Sequence, residues 1–186
     1  PQGHIRGILP SLAKEAEAVN EAKQRQRFTV VVGNPPYSYM SANLALDAAE
    51  WIEPFRYVDG ERIRERSALS LERSLQDDFV KFLGLSVSLC RRTGSAFILG
   101  LITNNSYLDS VLHRGVRSEL VSRLSELYIV NLFGDGIKDR EENVFEIQQG
   151  VAILLAARCG SGANSISIRD VHGCRAEKYS ALEAAS

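Results

Sequence analysis

Phe28-Thr-Val-Val-Val32 is an apolar, β-branched run too short to be a helix, and it stops at Gly33-Asn34-Pro35-Pro36. β-branched side chains favour extended backbone, while two successive prolines remove two amide donors and can continue neither a helix nor a central strand. The run is therefore a strand that ends in a turn. Because it is apolar at successive rather than alternate positions, it is expected to be buried on both faces, in a parallel sheet covered by helices on each side.

Other segments extend this pattern. Leu12, Ala16, Val19 and Ala22 recur at helical spacing before the strand, and residues 38–74 follow it with little periodicity. A helix is then expected to begin at Asp77-Asp78, with Phe79, Phe82, Leu83, Ser86, Leu89 and Cys90 on one face. Arg91-Arg92 and Gly94 mark its end. Residues 96–102, 127–133 and 151–157 read as further strands and 165–171 as a weaker one. Val116, Leu120, Val121 and Leu124 form the stripe of an intervening helix, 160–163 a small turn, and 177–185 a helix leaving the domain. Strands alternating with helices argue for a mostly parallel α/β sheet. Four or five strands are few for a doubly wound fold, so only half of the sheet is expected.

Composition bounds the function. With 22 Lys+Arg against 23 Asp+Glu, the net charge of −1 argues against a polybasic tail or a basic membrane-surface helix. No apolar run approaches the ~20 residues of a spanning helix, so no membrane partner is expected. Cys90, Cys159 and Cys174 share no metal-ligand spacing, which favours unpaired thiols in a reducing compartment and no metal site. His4, His113 and His172 show no pairing with an acid or nucleophile in the sequence.

The turn after the first strand carries the chemistry. In open α/β sheets, ligands bind at the carboxyl ends of strands. The simplest reading of Asn34-Pro35-Pro36-Tyr37 is a turn that merely ends a strand. The functional reading is a grip on a planar, amino-bearing substrate. An amine conjugated to a ring is a poor nucleophile because its lone pair is delocalised. Acceptors on its two N–H bonds, from the Asn34 side-chain oxygen and the Pro35 carbonyl, would localise that pair. Tyr37 would add a stacking face worth ~1–3 kcal/mol per base.

Asn34-Pro35-Pro36-Tyr37 resembles motif IV of S-adenosylmethionine-dependent amino-group methyltransferases, chiefly the adenine-N6 DNA enzymes. Leu12-Ala-Lys-Glu-Ala-Glu-Ala-Val19, Leu75-Gln-Asp-Asp-Phe-Val-Lys-Phe82, Ile102-Thr-Asn-Asn-Ser-Tyr-Leu108 and Asn143-Val-Phe-Glu-Ile-Gln-Gln-Gly-Val151 extend the likeness. Together they resemble the methyltransferase region of large type ISP and type IIG restriction-modification enzymes, over residues 11–182. The resemblance implies an α/β, partial Rossmann-like S-adenosylmethionine-dependent methyltransferase fold: the second half of the sheet, with the first cofactor-binding strands missing. It also implies adenine-N6 methylation of double-stranded DNA by base flipping, in a prokaryotic cytoplasm. The partners would be the nuclease, helicase and target-recognition domains of a parent chain.

By the same resemblance, Asn34 and Pro35 would bind the adenine N6 amine, with Pro36 stiffening the turn, and Tyr37 would stack on the extruded base. Phe145 would cover its other face or the adjoining wall, Tyr107 and Asn104 would line the floor, and Asp78 and Phe79 would lie near the cofactor. Each has a structural alternative: Phe79 and Phe145 as core residues, Asp77 and Asp78 as helix-start acids, Asn104 and Asn105 as caps of the strand-to-helix turn.

The family's Gly-rich cofactor turn and the acidic residue after its second strand do not appear in the sequence. The expected division is a linker and helix at 1–27, the C-terminal part of the catalytic domain at 28–172, and an exit segment at 173–186 toward a target-recognition domain. Such a piece is expected to be inactive alone and to bind S-adenosylmethionine weakly or not at all. Two rival functions are a protein-glutamine N-methyltransferase, whose turn would hold a carboxamide, and a non-catalytic DNA-binding remnant.

Overall fold

The computed structural model describes residues 14, 15, 17, 18, 21, 27–37, 46–64, 68–94, 96–138, 141–159 and 164–185. Leu12, Ala16, Val19 and Ala22 of the expected first helix lie outside the described residues, as do His4, Arg66 and the turn at 160–163. Lys14, Glu15, Glu17, Ala18 and Glu21 are helical and exposed.

In chain order the strands are β1 (Val30–Gly33), β2 (Tyr57–Val58), β3 (Glu61–Arg62), β4 (Phe97–Asn104), β5 (Glu126–Phe133), β6 (Val151–Arg158) and β7 (Ser165–Asp170). The helices are α1 (Leu46–Ile52), α2 (Ala68–Leu75), α3 (Asp78–Thr93), α4 (Arg114–Arg123) and α5 (Arg175–Glu183). Five strands share one sheet in the order β1-β4-β6-β5-β7. β1 pairs with β4, and β5 with β7, in parallel, whereas β6 runs antiparallel to both its neighbours. The sheet is thus mostly parallel with one reversed strand. Its reversal brings the start of β6 to the edge where the other strands end, with Val151 opposite Asn104 and Phe133.

One face of the sheet carries the main core. Leu99, Leu101, Leu127, Ile129 and Leu154 meet Phe79, Leu83, Val87, Val116 and Leu120 from α3 and α4. α3 has the bounds that its sequence signals predict. Asp77 caps its start by accepting from the Phe79 backbone N–H at 3.4 Å, and Gly94 ends it in a left-handed conformation with φ 69°. Phe82, expected on the buried face, is 42% exposed, because the buried stripe runs through Phe79, Leu83, Val87 and Cys90.

The opposite face departs from expectation. Val30 and Val32 are 53% and 78% exposed, and Ile98 and Leu155 are also exposed, so β1 is not buried on both faces. No described element covers that part of the sheet. The half nearer the strand ends is covered, by residues 144–147 and by α5. Val130, Leu132, Val144, Val151 and Val171 form a second cluster there, with Ala181 and Leu182 of α5 against it. The last helix, expected to leave the domain, lies on it instead.

The stretch without periodicity contains α1, a 3-10 turn at Glu53–Arg56, the β2-β3 hairpin and α2. Each is too short to show a period. Arg56 in this stretch is buried and committed. Its Nε and Nη2 donate to the two Glu72 carboxylate oxygens at 2.9 and 2.7 Å, and its Nη1 to Glu53 at 2.8 Å. Among the described residues, Arg62, Arg64 and Arg73 are exposed. No described helix is long and apolar enough to cross a membrane.

α1 approaches α3 so closely that a Cβ at Gly84 would lie 2.6 Å from the Trp51 carbonyl oxygen. In an open helix Gly→Ala gains about 1 kcal/mol. Here Gly84→Ala is expected to lower the urea midpoint instead, by the ~1–3 kcal/mol of an overpacked contact.

Asp77 gives a second test. Burial pushes its carboxyl up from 3.8 to about 6, against the downward pull of the Phe79 N–H. The folded state therefore holds this proton more tightly than the unfolded chain. Its stabilising contribution is complete below pH 3.8 and is lost as the pH rises through about 6. Urea titrations across that window should show the wild type losing stability relative to Asp77→Asn, which keeps a capping oxygen but does not ionise.

Candidate functional site

β1 ends at Gly33, paired with Leu101, and the next residues lie beyond the last ladder position. Asn34 and Pro36 are exposed, Pro35 is buried, and Tyr37 is half-buried. The buried proline anchors the turn and leaves the Asn34 side chain at the surface. The Tyr37 hydroxyl donates to Asn34 Oδ1 at 3.2 Å. Burial pushes the Tyr37 phenol up to about 12, so it is a neutral donor at ordinary pH.

A second segment reaches the same place from β5. The strand ends with Phe133 at φ 53° and Gly134 at φ 89°. For a bulky residue the left-handed region costs roughly 1–3 kcal/mol and must be held by its surroundings. The Phe133 N–H donates to Asn131 Oδ1 at 3.3 Å, and its ring stacks on His172 at 4.3 Å. The turn sends the chain into residues 141–150.

Asn143 organises that loop. Its Nδ2 donates to the carbonyls of Gly134 at 2.9 Å and Gln149 at 2.7 Å, while its Oδ1 accepts from the Phe145 N–H at 2.8 Å. A Cβ at Gly134 would lie 2.6 Å from the Asn143 Cα, so this approach requires glycine. Phe145 is thereby brought to Tyr37, with ring centroids 6.4 Å apart and planes inclined at 45°.

The structure thus gathers Asn34, Tyr37 and Phe145, residues distant in sequence, at the carboxyl end of β1. The slot between the rings is closed. A planar base between two parallel rings needs about 7 Å, twice the ~3.5 Å contact distance of carbon atoms. A ligand must therefore move one ring or lie against the other's edge.

The other candidates lie elsewhere. Asn104 stands at the same sheet edge, but its Oδ1 accepts from the Ser106 N–H at 2.7 Å and caps the following 3-10 turn. Its neighbour Asn105 donates to Asn131 at 3.0 Å, and Asn131 to Asp170 at 3.2 Å, a polar chain across the strand ends. Tyr107 and Phe79 are core residues, 1% and 0% exposed, with ring centroids 6.3 Å apart. Burial pushes the Tyr107 phenol up to about 12, outweighing the opposite pull of Thr103. Phe79 also meets the buried His113 edge-on at 5.7 Å, and burial lowers the His113 pKa. Neither Tyr107 nor Phe79 lines an open surface. Asp78 is the first residue of α3, partly exposed beside the capping Asp77.

His172, which the sequence pairs with no acid, bonds to Glu141 at 2.6 Å through Nδ1. The partners are 31 residues apart, a separation at which no spacing rule applies. Asn143 and the α5 side chains around it were also not singled out by sequence. For Asn143 the signal is its place in the segment that carries Phe145; the α5 side chains lie 30 or more residues later and carry none. Among the described residues no group of three His, Cys, Asp or Glu side chains is placed to hold a metal.

No protein-family model matches the chain, and no curated protein does. Solved structures do. A nuclease-deletion mutant of the type ISP restriction-modification enzyme LlaGI, in complex with a DNA substrate mimic, superposes with a TM-score of 0.72 at 20% identity. The match covers 92% of this chain and 17% of that one. The ATP-dependent type ISP restriction-modification enzyme LlaBIII bound to DNA gives 0.70 at 23% identity, covering 90% and 12%. A DrdV–DNA complex gives 0.63 at 23% identity, covering 92% and 17%. The chain is therefore similar in fold to a segment amounting to 17% or less of these much longer proteins.

Proposed function

We propose that this chain forms the adenine-binding side of a DNA adenine-N6 methyltransferase within a restriction-modification enzyme. One observation carries the reading: the meeting of Asn34, Tyr37 and Phe145 at the carboxyl end of β1. The fold likeness to enzymes whose structures hold DNA supports the class of partner.

An adenine inside a duplex cannot reach this turn, so the base must flip, at a cost of a few kcal/mol offset by stacking and pocket contacts. With the base against Tyr37, its N6 amine would donate one N–H to Asn34 Oδ1 and the other to the Pro35 carbonyl, which lies past the β1 ladder. Two acceptors on one amine favour a pyramidal nitrogen whose lone pair can attack. Asn34 Oδ1 is engaged by the Tyr37 hydroxyl, so the arriving amine would displace that bond and Tyr37 would turn toward the base.

S-adenosylmethionine supplies the electrophilic methyl group in the enzymes that the sequence resembles. The described residues do not make a site for it. The Phe79 ring is fully buried in the core, which leaves Asp78 without a companion at the start of α3. Arg56 is neutralised by Glu53 and Glu72, so in its stretch of the chain the exposed Arg62, Arg64 and Arg73 are the arginines open to phosphate.

Asn34→Ala in the encoded polypeptide is expected to lower adenine methylation of DNA by about 100-fold or more, the scale for losing a positioned polar group in a reacting site. Binding of the same DNA should change less than about twofold, since sequence-independent affinity comes from phosphates. Labelled methyl transfer and a DNA-binding titration measure the two. Unchanged methylation overturns the role of Asn34, and transfer to glutamine in a peptide rather than to DNA overturns the substrate.

A further inference from the structure

The backbone that carries Phe145 is held from outside by a single helix. Four consecutive carbonyls accept from side chains of α5: Glu142 from Lys178 Nζ at 2.8 Å, Asn143 from Arg175 Nε at 2.9 Å, Val144 from the Tyr179 hydroxyl at 2.9 Å, and Phe145 from Arg175 Nη2 at 3.4 Å. The Arg175 backbone N–H also donates to the Glu142 carboxylate at 2.9 Å. Lys178 is fully buried, a costly place for an ammonium, and its charge is met by Glu141 at 3.0 Å. None of this is needed to end a strand or to bury α5, whose apolar contacts are Ala181 and Leu182. By contrast, the described tie on the Tyr37 side chain is one 3.2 Å bond to Asn34.

We propose that Arg175, Lys178 and Tyr179 are positioning residues for Phe145, making it the fixed wall of the slot, so that a ligand is admitted by movement of Tyr37. The proposal rests on the adenine-pocket reading for what the slot receives, but not for the clamp itself. Two walls that both yielded would give a flipped base no defined plane. One rigid wall and one movable wall define the plane while still allowing the closed pair to part.

The clamp is read without substrate by the nuclear Overhauser contact between the Tyr37 and Phe145 rings. Arg175→Met combined with Tyr179→Phe removes donors to three of the four carbonyls and leaves Lys178 with Glu141. This variant is expected to lose the ring contact while the other core contacts persist. Persistence of the contact overturns the proposal. Should the pair unfold, Tyr179→Phe alone keeps the ring of an exposed side chain and is expected to weaken the same contact. Slot function is then read with DNA bearing a mismatched 2-aminopurine in place of the target adenine. The double variant and Phe145→Ala are each expected to weaken capture of the flipped base about 10-fold, and their combination by less than about threefold more, because they disable one wall. Full additivity overturns the proposal. Loss of the ring contact with no change in capture for either variant upholds the clamp and overturns the adenine-pocket reading instead.

Discussion

The structure depends on the pairing of one strand. β6 lies between β4 and β5 and runs against both, with Val151, Ala152 and Leu154 fully buried. A parallel strand there would begin at the far end of the sheet, and the chain leaving β5 would have to cross a face to reach it. The reversed strand begins where β5 ends. Residues 134–138 and 141–150 therefore stay at the carboxyl edge, and that is why Phe145 can meet a turn that follows β1.

Keeping that loop at the edge is costly, and polar and ring contacts offset the cost alongside the apolar burial of Val144, Phe145 and Ile147. Phe133 adopts a conformation that bulky residues avoid, and Lys178 is charged with no exposure. The strain at Phe133 is offset by the Asn131 acceptor and the His172 stack. The desolvation of Lys178 is offset by the Glu141 carboxylate and the Glu142 carbonyl. Glu141 is common to both, since its other oxygen binds His172. The turn and the clamp thus share an acid, and a change at Glu141 would be felt at both ends of the loop.

Local signals were legible wherever the physics is local. The β-branched runs gave the strands, and Asp77, Arg91, Arg92 and Gly94 gave both ends of α3, because caps act within one turn. The Asn34–Tyr37 turn was legible because two prolines leave few alternatives. What escaped was set by distance or by shortness. Uniform apolarity in β1 predicted cover on both faces, but whether a face is covered depends on elements that need not be near in sequence, and Val32 is exposed. α1, α2 and the β2-β3 hairpin are shorter than the window in which a period shows. Resemblance points to Phe79 and Tyr107 as site residues, whereas the fold packs them together in the core. Phe145 was found as a residue, but the donors that hold it come from α5, some 30 residues later.

In the free chain the slot is satisfied by its own members: the Tyr37 hydroxyl meets Asn34, and the Tyr37 ring meets Phe145. Net hydrogen-bond contributions are about 1 kcal/mol because partners are exchanged rather than created. The same holds when a base replaces Tyr37 at Asn34, so the exchange is nearly neutral and the site sacrifices little to remain closed. Discrimination must then come from the second acceptor. On the proposed reading a ligand with one donor would merely replace the Tyr37 hydroxyl at Asn34, whereas a ligand with two donors on one nitrogen would also meet the Pro35 carbonyl. On the proposed reading the turn would select for an amino group over a hydroxyl, through backbone that a buried proline holds in place.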